Sequence, residues 1–99
     1  MVVGICQLDV FIHGNNSLKG KRQILRQVIE RTKNKFNISI AEVGDNDLWQ
    51  RAKIGFAVVG NDKRFVNSCL DTIKNFIENL NIVEVLNEDW EIIHSNFDA

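Results

Sequence analysis

The chain has 99 residues, two cysteines and no proline, and 44% of its residues are hydrophobic. This composition is typical of one globular domain, here residues 1–99, and does not fit a disordered chain or a small disulfide-stapled protein. No apolar run approaches the ~20 residues that cross a bilayer, and the N-terminus lacks the basic region of a signal peptide. We therefore expect a cytoplasmic protein that does not span a membrane.

The net charge of −1 hides two oppositely charged segments. Residues 17–35 carry a net charge of +6, with Glu30 as the only acid. Residues 71–99 carry a net charge of −6, with Lys74 as the only cation. Such an asymmetry favours a polyanionic partner on one side of the protein. The alternative is that the basic segment only solubilises the protein or pairs with the acidic end of the same chain.

Three elements are predicted in the first half of the chain. Polar and apolar residues alternate over residues 2–13, which predicts a first strand. Ser17 is a typical N-cap, and the period of about 3.6 residues that follows it predicts a helix to about Asn34. Residues 36–43 alternate again and predict a second strand.

Three more elements follow a polar loop. Residues 52–60 predict a third strand, and the apolar period from Phe65 to Leu80 predicts a second helix that stops at Asn81. Residues 83–93 predict a fourth strand. The order βαββαβ with right-handed crossovers gives an α+β, ferredoxin-like sandwich, with an antiparallel sheet of order 4-1-3-2 and both helices on one face. This fold serves many unrelated functions and selects none of them.

The sheet face without helices is expected to be half apolar and weakly charged. Its predicted residues are Ile5, Gln7, Asp9, Phe11, Asn37, Ser39, Ala41, Val43, Gly55, Ala57 and Val59. Such a surface usually contacts a ligand, a nucleic acid or another subunit. We expect a homodimer through this face, with Ile5 and Phe11 in the interface.

The stretch "KIGFAVV" in the third strand invites comparison with the RNA-recognition motif, whose exposed aromatic side chains stack on bases. With Lys53 aligned to the first position, Gly55 and Ala57 occupy the positions of the stacking rings. Phe56 faces the core instead. The stretch is therefore predicted to be a buried strand and not a platform for RNA.

The first helix is the better candidate for contact with a polyanion. At ~100° per residue, one sector of ~60° on this helix holds Lys19, Arg22, Arg26 and Lys33. Cations in a first helical turn oppose the helix dipole unless an anion binds the free N–H groups there. The residues predicted to bind phosphate or nucleic acid are Lys19, Lys21, Arg22, Arg26 and Arg51.

Trp49 is unexpected within the polar loop D-N-D-L-W-Q-R. One interpretation is an anchor, in which Leu48 and Trp49 fold back onto the sheet edge while Asp45 or Asp47 pairs with Arg51. The other is an exposed contact at an interface, where Trp and Arg are enriched. The sequence leaves both interpretations open.

Side chains that carry chemistry do not converge in the sequence. Cys6 and Cys69 fall on core-facing positions and are predicted to be small buried hydrophobes. His13 and His94 end neighbouring antiparallel strands, so they are expected at opposite ends of the sheet. No metal, cofactor or catalytic site is predicted. Trp90, in the fourth strand, is expected to pack.

Two motifs, S-L-K-x-K-R at residues 17–22 and D-L-W-Q-R-A-x-x-G at residues 47–55, resemble the YlxP-like family of small bacterial proteins. The resemblance runs over nearly the whole chain, and the family is a domain of unknown function. It implies a cytoplasmic, ferredoxin-like protein with no established enzyme activity. Genes of this family often lie beside those for transcription and translation factors, including ribosome-binding factor A, which implies an association with RNA or the ribosome.

One residue departs from the family pattern, which usually has Glu where this chain has Gly20. Glu at this position would complete a capping box with Ser17, whereas Gly costs roughly 1 kcal/mol of helix propensity. We therefore expect Gly20→Glu to raise the melting temperature and to weaken any polyanion binding.

Two functions remain open at this point. The first is a non-enzymatic protein that binds RNA or a ribosomal subunit through the basic helix, with Arg51 and Trp49 extending the contact. The second is a homodimeric regulatory domain that binds a small molecule or a protein at the open sheet face. Binding that falls steeply with salt is expected of the first and not of the second.

Overall fold

The computed structural model describes residues 1–97 and has the six predicted elements in the predicted order. They are β1 (Val2–Phe11), α1 (Leu18–Lys35), β2 (Ser39–Gly44), β3 (Arg51–Gly60), α2 (Lys63–Asn79) and β4 (Glu84–His94). The strands form one antiparallel sheet of order β2-β3-β1-β4, which confirms the predicted order. With two helices covering one sheet face, the fold is α+β and ferredoxin-like.

The core lies between the helices and one sheet face because alternate strand residues point toward the helices. The buried strand residues are Val2, Cys6, Leu8, Val10, Ile40, Ala52, Ile54, Phe56 and Val58. The second helix covers them with apolar residues three or four positions apart, namely Val66, Leu70, Ile73 and Ile77. Gly4 lets α2 approach β1 closely, since a Cβ there would lie 2.5 Å from Val66 Cγ1. Neither helix within residues 1–97 combines the length and the apolar character needed to cross a lipid bilayer.

Two element boundaries differ from the sequence prediction. The strand predicted to begin at residue 36 begins at Ser39. Phe36 instead caps the C-terminus of α1, and its ring packs edge-to-face on Phe76 with the centroids 5.3 Å apart. β1 ends at Phe11 and not at residue 13. The predicted stop of α2 is confirmed, because Asn81 adopts a left-handed conformation with φ of 55°.

Cys6 is buried beneath the helices, as predicted, whereas Cys69 on α2 is only half buried. Burial disfavours the thiolate of Cys6, and the negative charge of Glu88 disfavours it further. Together these effects raise the pKa of the Cys6 thiol to about 11.

This raised pKa predicts a loss of stability at alkaline pH. The unfolded thiol ionises near pH 9.0 and the folded thiol near 11, so the unfolded state binds fewer protons in this window and stability falls as pH rises. Between about pH 8 and pH 10, urea unfolding should show the wild type losing about 1 kcal/mol more stability than Cys6→Ala. Cys69→Ala is the matched control. Equal losses in the wild type and Cys6→Ala would contradict the assignment.

Candidate functional site

One side of α1 carries the four cations that the helical angle predicts to lie together. They are Lys19, Arg22, Arg26 and Lys33, which we call the basic stripe, and all four are exposed. Within residues 1–97, no carboxylate lies at ion-pairing distance from any of them. At 1.5 Å of rise per residue, the stripe extends about 21 Å along the helix. It therefore presents a row of cations to solvent.

The acidic end of the chain pairs with residues outside α1. Lys74 of α2 lies 3.1 Å from Glu88 Oε2 and 3.9 Å from Glu78 Oε1. Glu84 Oε1 lies 2.6 Å from His13 Nε2. Within the described residues, the acidic segment thus does not neutralise the stripe. Asp98, which contributes to the charge of that segment, lies outside the described residues.

Lys21 does not belong to the exposed surface, which corrects its prediction as a phosphate ligand. The residue is 2% exposed, because position 21 lies on the face of α1 that packs on the sheet with Leu25 and Val28. Its Nζ donates to the Asp45 carbonyl at 2.6 Å and to the Leu48 carbonyl at 2.8 Å. An ammonium enclosed in this way does not reach an external phosphate.

Glu42 of β2 supplies the charge that compensates Lys21. Its Oε2 lies 2.9 Å from Lys21 Nζ, but Oε2 accepts no hydrogen bond within the described residues. The carboxylate thus forms an ion pair with the ammonium, which also donates hydrogen bonds to the two carbonyls. Removing either partner would leave a largely buried charge without compensation, so the pair ties α1 to β2.

Asn15, in the loop before α1, holds the segment that follows β2. It is 8% exposed, and its Nδ2 donates to the Trp49 carbonyl at 2.5 Å. Gln50 Nε2 donates in return to the Asn15 carbonyl at 3.2 Å. Residues 45–50, which we call the tryptophan loop, are therefore fixed through their main chain by Asn15 and Lys21.

The anchor interpretation of Trp49 is wrong for its side chain. Trp49 is 53% exposed and Leu48 beside it is 48% exposed, since the loop carbonyls, and not its apolar side chains, face the protein. The hydrogen bond from Asn15 places Trp49 next to the start of α1. The main chain of Trp49 therefore lies near the N-terminal end of α1, and its indole is exposed.

Arg51, the remaining predicted phosphate ligand, is exposed at the start of β3, two residues after Trp49. The predicted ion pair with Asp45 or Asp47 does not form within residues 1–97. Arg51 thus remains free to extend the cationic surface beyond the tryptophan loop.

The two motifs behind the family resemblance contact each other in the fold. Lys21 belongs to S-L-K-x-K-R, and the Leu48 carbonyl that it binds belongs to D-L-W-Q-R. Sequence reasoning missed this role of Lys21 and the contribution of Asn15 altogether. The available signal was the position of Lys21 within the apolar period of α1, four residues before Leu25.

Phe11 and Ile5, the predicted interface residues, share the open sheet face but are well separated. Phe11 is half buried, and its ring lies edge-to-face against His13 with centroids 4.6 Å apart. Ile5 lies six residues away, about 20 Å along the strand, and is 38% exposed. It lines a groove of about 520 Å³ together with small residues of the neighbouring strands, among them Ala41, Gly55 and Ala57.

The open sheet face is more charged than predicted. Asp9 Oδ1 lies 2.8 Å from Lys53 Nζ across the β1–β3 pair, and this hydrogen bond raises the pKa of Lys53. Asp89 and Glu91 of β4 add two carboxylates at the rim of the groove. Trp90, which was expected to pack, is 59% exposed because it lies on an edge strand.

The two histidines lie at opposite ends of the sheet, as predicted. His13 follows the C-terminal end of β1, whereas His94 pairs with Val2 at its N-terminal end. Across residues 1–97, no three His, Cys, Asp or Glu side chains come close enough together to hold a metal ion.

Gly20 is required by the Asn15 contact, which corrects the expectation that Glu would stabilise this position. Ser17 caps α1 as predicted, because its Oγ accepts from the Gly20 amide at 3.0 Å. A Cβ on Gly20, however, would overlap Asn15 Oδ1. The Asn15 side chain cannot move aside without losing its hydrogen bond to Trp49.

Substitution of Gly20 is therefore expected to lower the melting temperature. In Gly20→Ala and Gly20→Glu, the displacement of Asn15 should outweigh the gain in helix propensity, with a net cost of about 1 kcal/mol measured by thermal unfolding. In Asn15→Gly/Gly20→Ala the overlap is gone, so this double variant should be at least as stable as Asn15→Gly alone. Additive costs, or a higher melting temperature in Gly20→Ala, would rule out the overlap.

Comparisons with known proteins agree with this fold and with the family resemblance. Residues 3–90 match the model of a family described as a protein of unknown function, DUF503. The chain is 32% identical to the uncharacterized protein YlxP of Bacillus subtilis (strain 168), over 90% of this chain and 99% of that protein. It is also similar to the de novo designed protein Foldit4, with a TM-score of 0.56, 12% identity, and coverage of 96% of this chain and 98% of that one. At this identity, the likeness to the designed protein concerns the fold alone.

Proposed function

The chain belongs to the DUF503 family, and we propose that it is a non-enzymatic, cytoplasmic protein that binds RNA, free or in a ribosomal subunit, through the basic stripe. The observation that carries the proposal is the row of four exposed cations on α1, none of which is paired within residues 1–97. Within residues 1–97, this row combines positive charge and exposure along one line of α1.

The cations that form ion pairs within residues 1–97 all lie outside the basic stripe. The lysines that form ion pairs do so with carboxylates of neighbouring elements or turns, as in the pairs Lys21–Glu42, Lys53–Asp9 and Lys74–Glu88. Within residues 1–97, the stripe cations have no carboxylate partner, so no ion pair has to break before they contact a phosphate. Each of them therefore neutralises a phosphate at no cost in internal pairing, and each contact releases a condensed counterion.

Trp49 supports RNA over a generic polyanion. Its indole is exposed, and the main chain of the tryptophan loop is fixed beside the start of α1 by Lys21 and Asn15. Stacking of an unpaired base on an aromatic side chain contributes about 1–3 kcal/mol. Because the loop is held before binding, less conformational entropy is lost when a base stacks there.

Little preference for base sequence follows from this arrangement. Phosphate contacts position a nucleic acid without reading its bases, and a single stacking ring accepts any base. The gene neighbourhood implied by the family resemblance supports ribosomal RNA as the RNA that the protein binds in the cell.

Charge reversal within the stripe tests the proposal. If all four stripe cations contact phosphates, affinity for a single-stranded oligouridine should fall about 50-fold between 50 and 200 mM salt. In Arg22→Glu/Arg26→Glu, the slope of log K against log salt should shrink by at least about 1.4. Fluorescence of Trp49, measured in a Trp90→Phe background, should be quenched on binding. Binding to purified ribosomal subunits should show the same dependence on salt and the same effect of the charge reversal.

Lys63→Glu/Arg64→Glu is the matched control, because both residues are exposed, lack carboxylate partners within residues 1–97 and lie on α2. This control changes net charge by the same amount and should keep the wild-type salt slope. If both reversals had equal effects, net charge alone would explain the binding and the stripe would not be the site. The absence of binding at either salt would also overturn the proposal.

The groove on the open sheet face favours a second candidate, a homodimeric regulatory domain that binds a small molecule or a protein there. The groove has a volume of about 520 Å³ and is lined by small and apolar residues with a few polar groups. A ligand of this site would raise the melting temperature by mass action. Its binding would depend weakly on salt and would be unchanged in Arg22→Glu/Arg26→Glu.

A further inference from the structure

A second surface lies at the margin of the sheet farthest from β2, along the unpaired side of β4. We propose that this edge binds an extended, basic segment of a partner protein, which adds to the sheet as a fifth strand. The inference does not depend on RNA binding, since it uses β4 and none of the residues of the basic stripe.

The hydrogen bonds at the end of β4 show which of its main-chain groups are free. The Ser95 amide donates to the Met1 carbonyl at 2.9 Å, and the Met1 amino group donates to the Ser95 carbonyl at 3.0 Å. In an antiparallel pair, residues that exchange two hydrogen bonds alternate with residues whose amide and carbonyl point away from the partner strand. Along the regular register, the outward residues are therefore Glu88, Trp90, Ile92 and His94.

This edge lacks most of the features by which proteins usually block further strand pairing, and its charged side chains are all acidic, so they repel an acidic strand and not a basic one. The usual features are proline, charged side chains (lysine above all), bulges and short length. β4 contains neither proline nor lysine, and its irregularity, opposite Asp9 and Val10, leaves residues 87–94 in regular register. β2, at the other edge, has only six residues and an irregularity of its own. Within the described residues, β4 is thus the long regular edge open to a partner strand.

The side chains along β4 specify the pattern of the incoming strand. Asp89 and Glu91 point to the open sheet face. Trp90 and Ile92 point to the opposite face, where Trp90 is 59% exposed. A segment that alternates cationic and apolar side chains would place its cations beside the two carboxylates and its apolar side chains beside the indole.

The charge around the edge selects a basic protein segment. β4 has four acidic residues and no lysine or arginine. Lys74, the nearby cation of α2, already lies among Asp71, Glu78 and Glu88. A nucleic acid would be repelled here, and a second copy paired antiparallel through β4 would bring the carboxylates of the two copies close together.

A peptide that alternates lysine and valine over seven residues is the probe for this edge. It should bind saturably, as followed by the anisotropy of a fluorescent label on the peptide. Amide hydrogen exchange measured by NMR should slow at Glu88, Trp90, Ile92 and His94, because their outward N–H groups become hydrogen-bonded. The amides that already face β1 should change little.

Two controls separate strand addition from charge attraction. The same peptide with every second amide N-methylated keeps its charge but cannot complete the ladder, and it should not bind. Asp89→Lys/Glu91→Lys should weaken binding of the unmodified peptide at least about tenfold. Glu30→Lys/Asp47→Lys, which makes the same charge change at exposed positions away from β4, should leave it unchanged.

Three results would overturn the proposal. Equal binding of the N-methylated peptide would mean charge attraction without strand pairing. No protection of the four outward amides would place the peptide elsewhere. Protection of these amides without peptide, together with a doubled molecular mass in light scattering, would make a second copy of the chain the occupant.

Discussion

The burial of one ammonium group determines how the candidate binding surface is arranged. Lys21 lies on the face of α1 that packs on the sheet, and its charge is compensated by two carbonyls of the tryptophan loop and by Glu42. A buried charge is tolerated only when such partners surround it. If the loop moved away from α1, the Lys21 ammonium would lose two acceptors and its burial would no longer be compensated. Because its carbonyls turn inward to meet the ammonium, the Trp49 ring remains outside.

Opposite charges lie at opposite margins of the sheet as a consequence of the topology. α1, which carries the basic stripe, packs on β2 and α2, whereas the acidic strand β4 packs on β1 and α2. A polyanion orients a protein with this charge distribution, so that its basic margin faces the polyanion and its acidic margin faces away. RNA held by the stripe would therefore leave the β4 edge open to a basic protein segment, and the two proposed contacts do not compete for surface.

The fold was accessible from the sequence because the periods of two and 3.6 residues are clear in every element. The strand order then followed from the handedness of the crossovers. The helical period also located the exposed cations of the stripe, since their angular positions depend only on local geometry. The β2 boundary was missed because Phe36 serves as a helix cap and packs on Phe76, a partner forty residues away.

The helical period places Lys21 on the inner face of α1, but the contacts that stabilise the misplaced side chains are not encoded by any local pattern. Burial of Lys21 requires acceptors from residues 24 and 27 positions later in the chain. Hydrophobicity alone favoured an interior place for Trp90 and left both places open for Trp49. Trp49 lies outside because polar main-chain groups occupy the contact with α1, and Trp90 because its strand ends the sheet. From the sequence, Gly20 is only a residue of low helix propensity. The overlap that a Cβ there would have with Asn15 explains why glycine occupies the position.

The most direct test is the salt dependence of oligouridine binding by Lys21→Met/Glu42→Gln, at a temperature where the variant and the wild type are both folded. This variant keeps the net charge of the protein. We predict an affinity about tenfold lower, because the tryptophan loop loses its two hydrogen bonds to Lys21 and keeps only its contacts with Asn15 near the start of α1, with an unchanged slope of log K against log salt. A slope smaller by about 0.7 would make Lys21 a phosphate contact. An unchanged affinity would show that the tryptophan loop is not part of the binding surface, and either result would contradict this account of that surface.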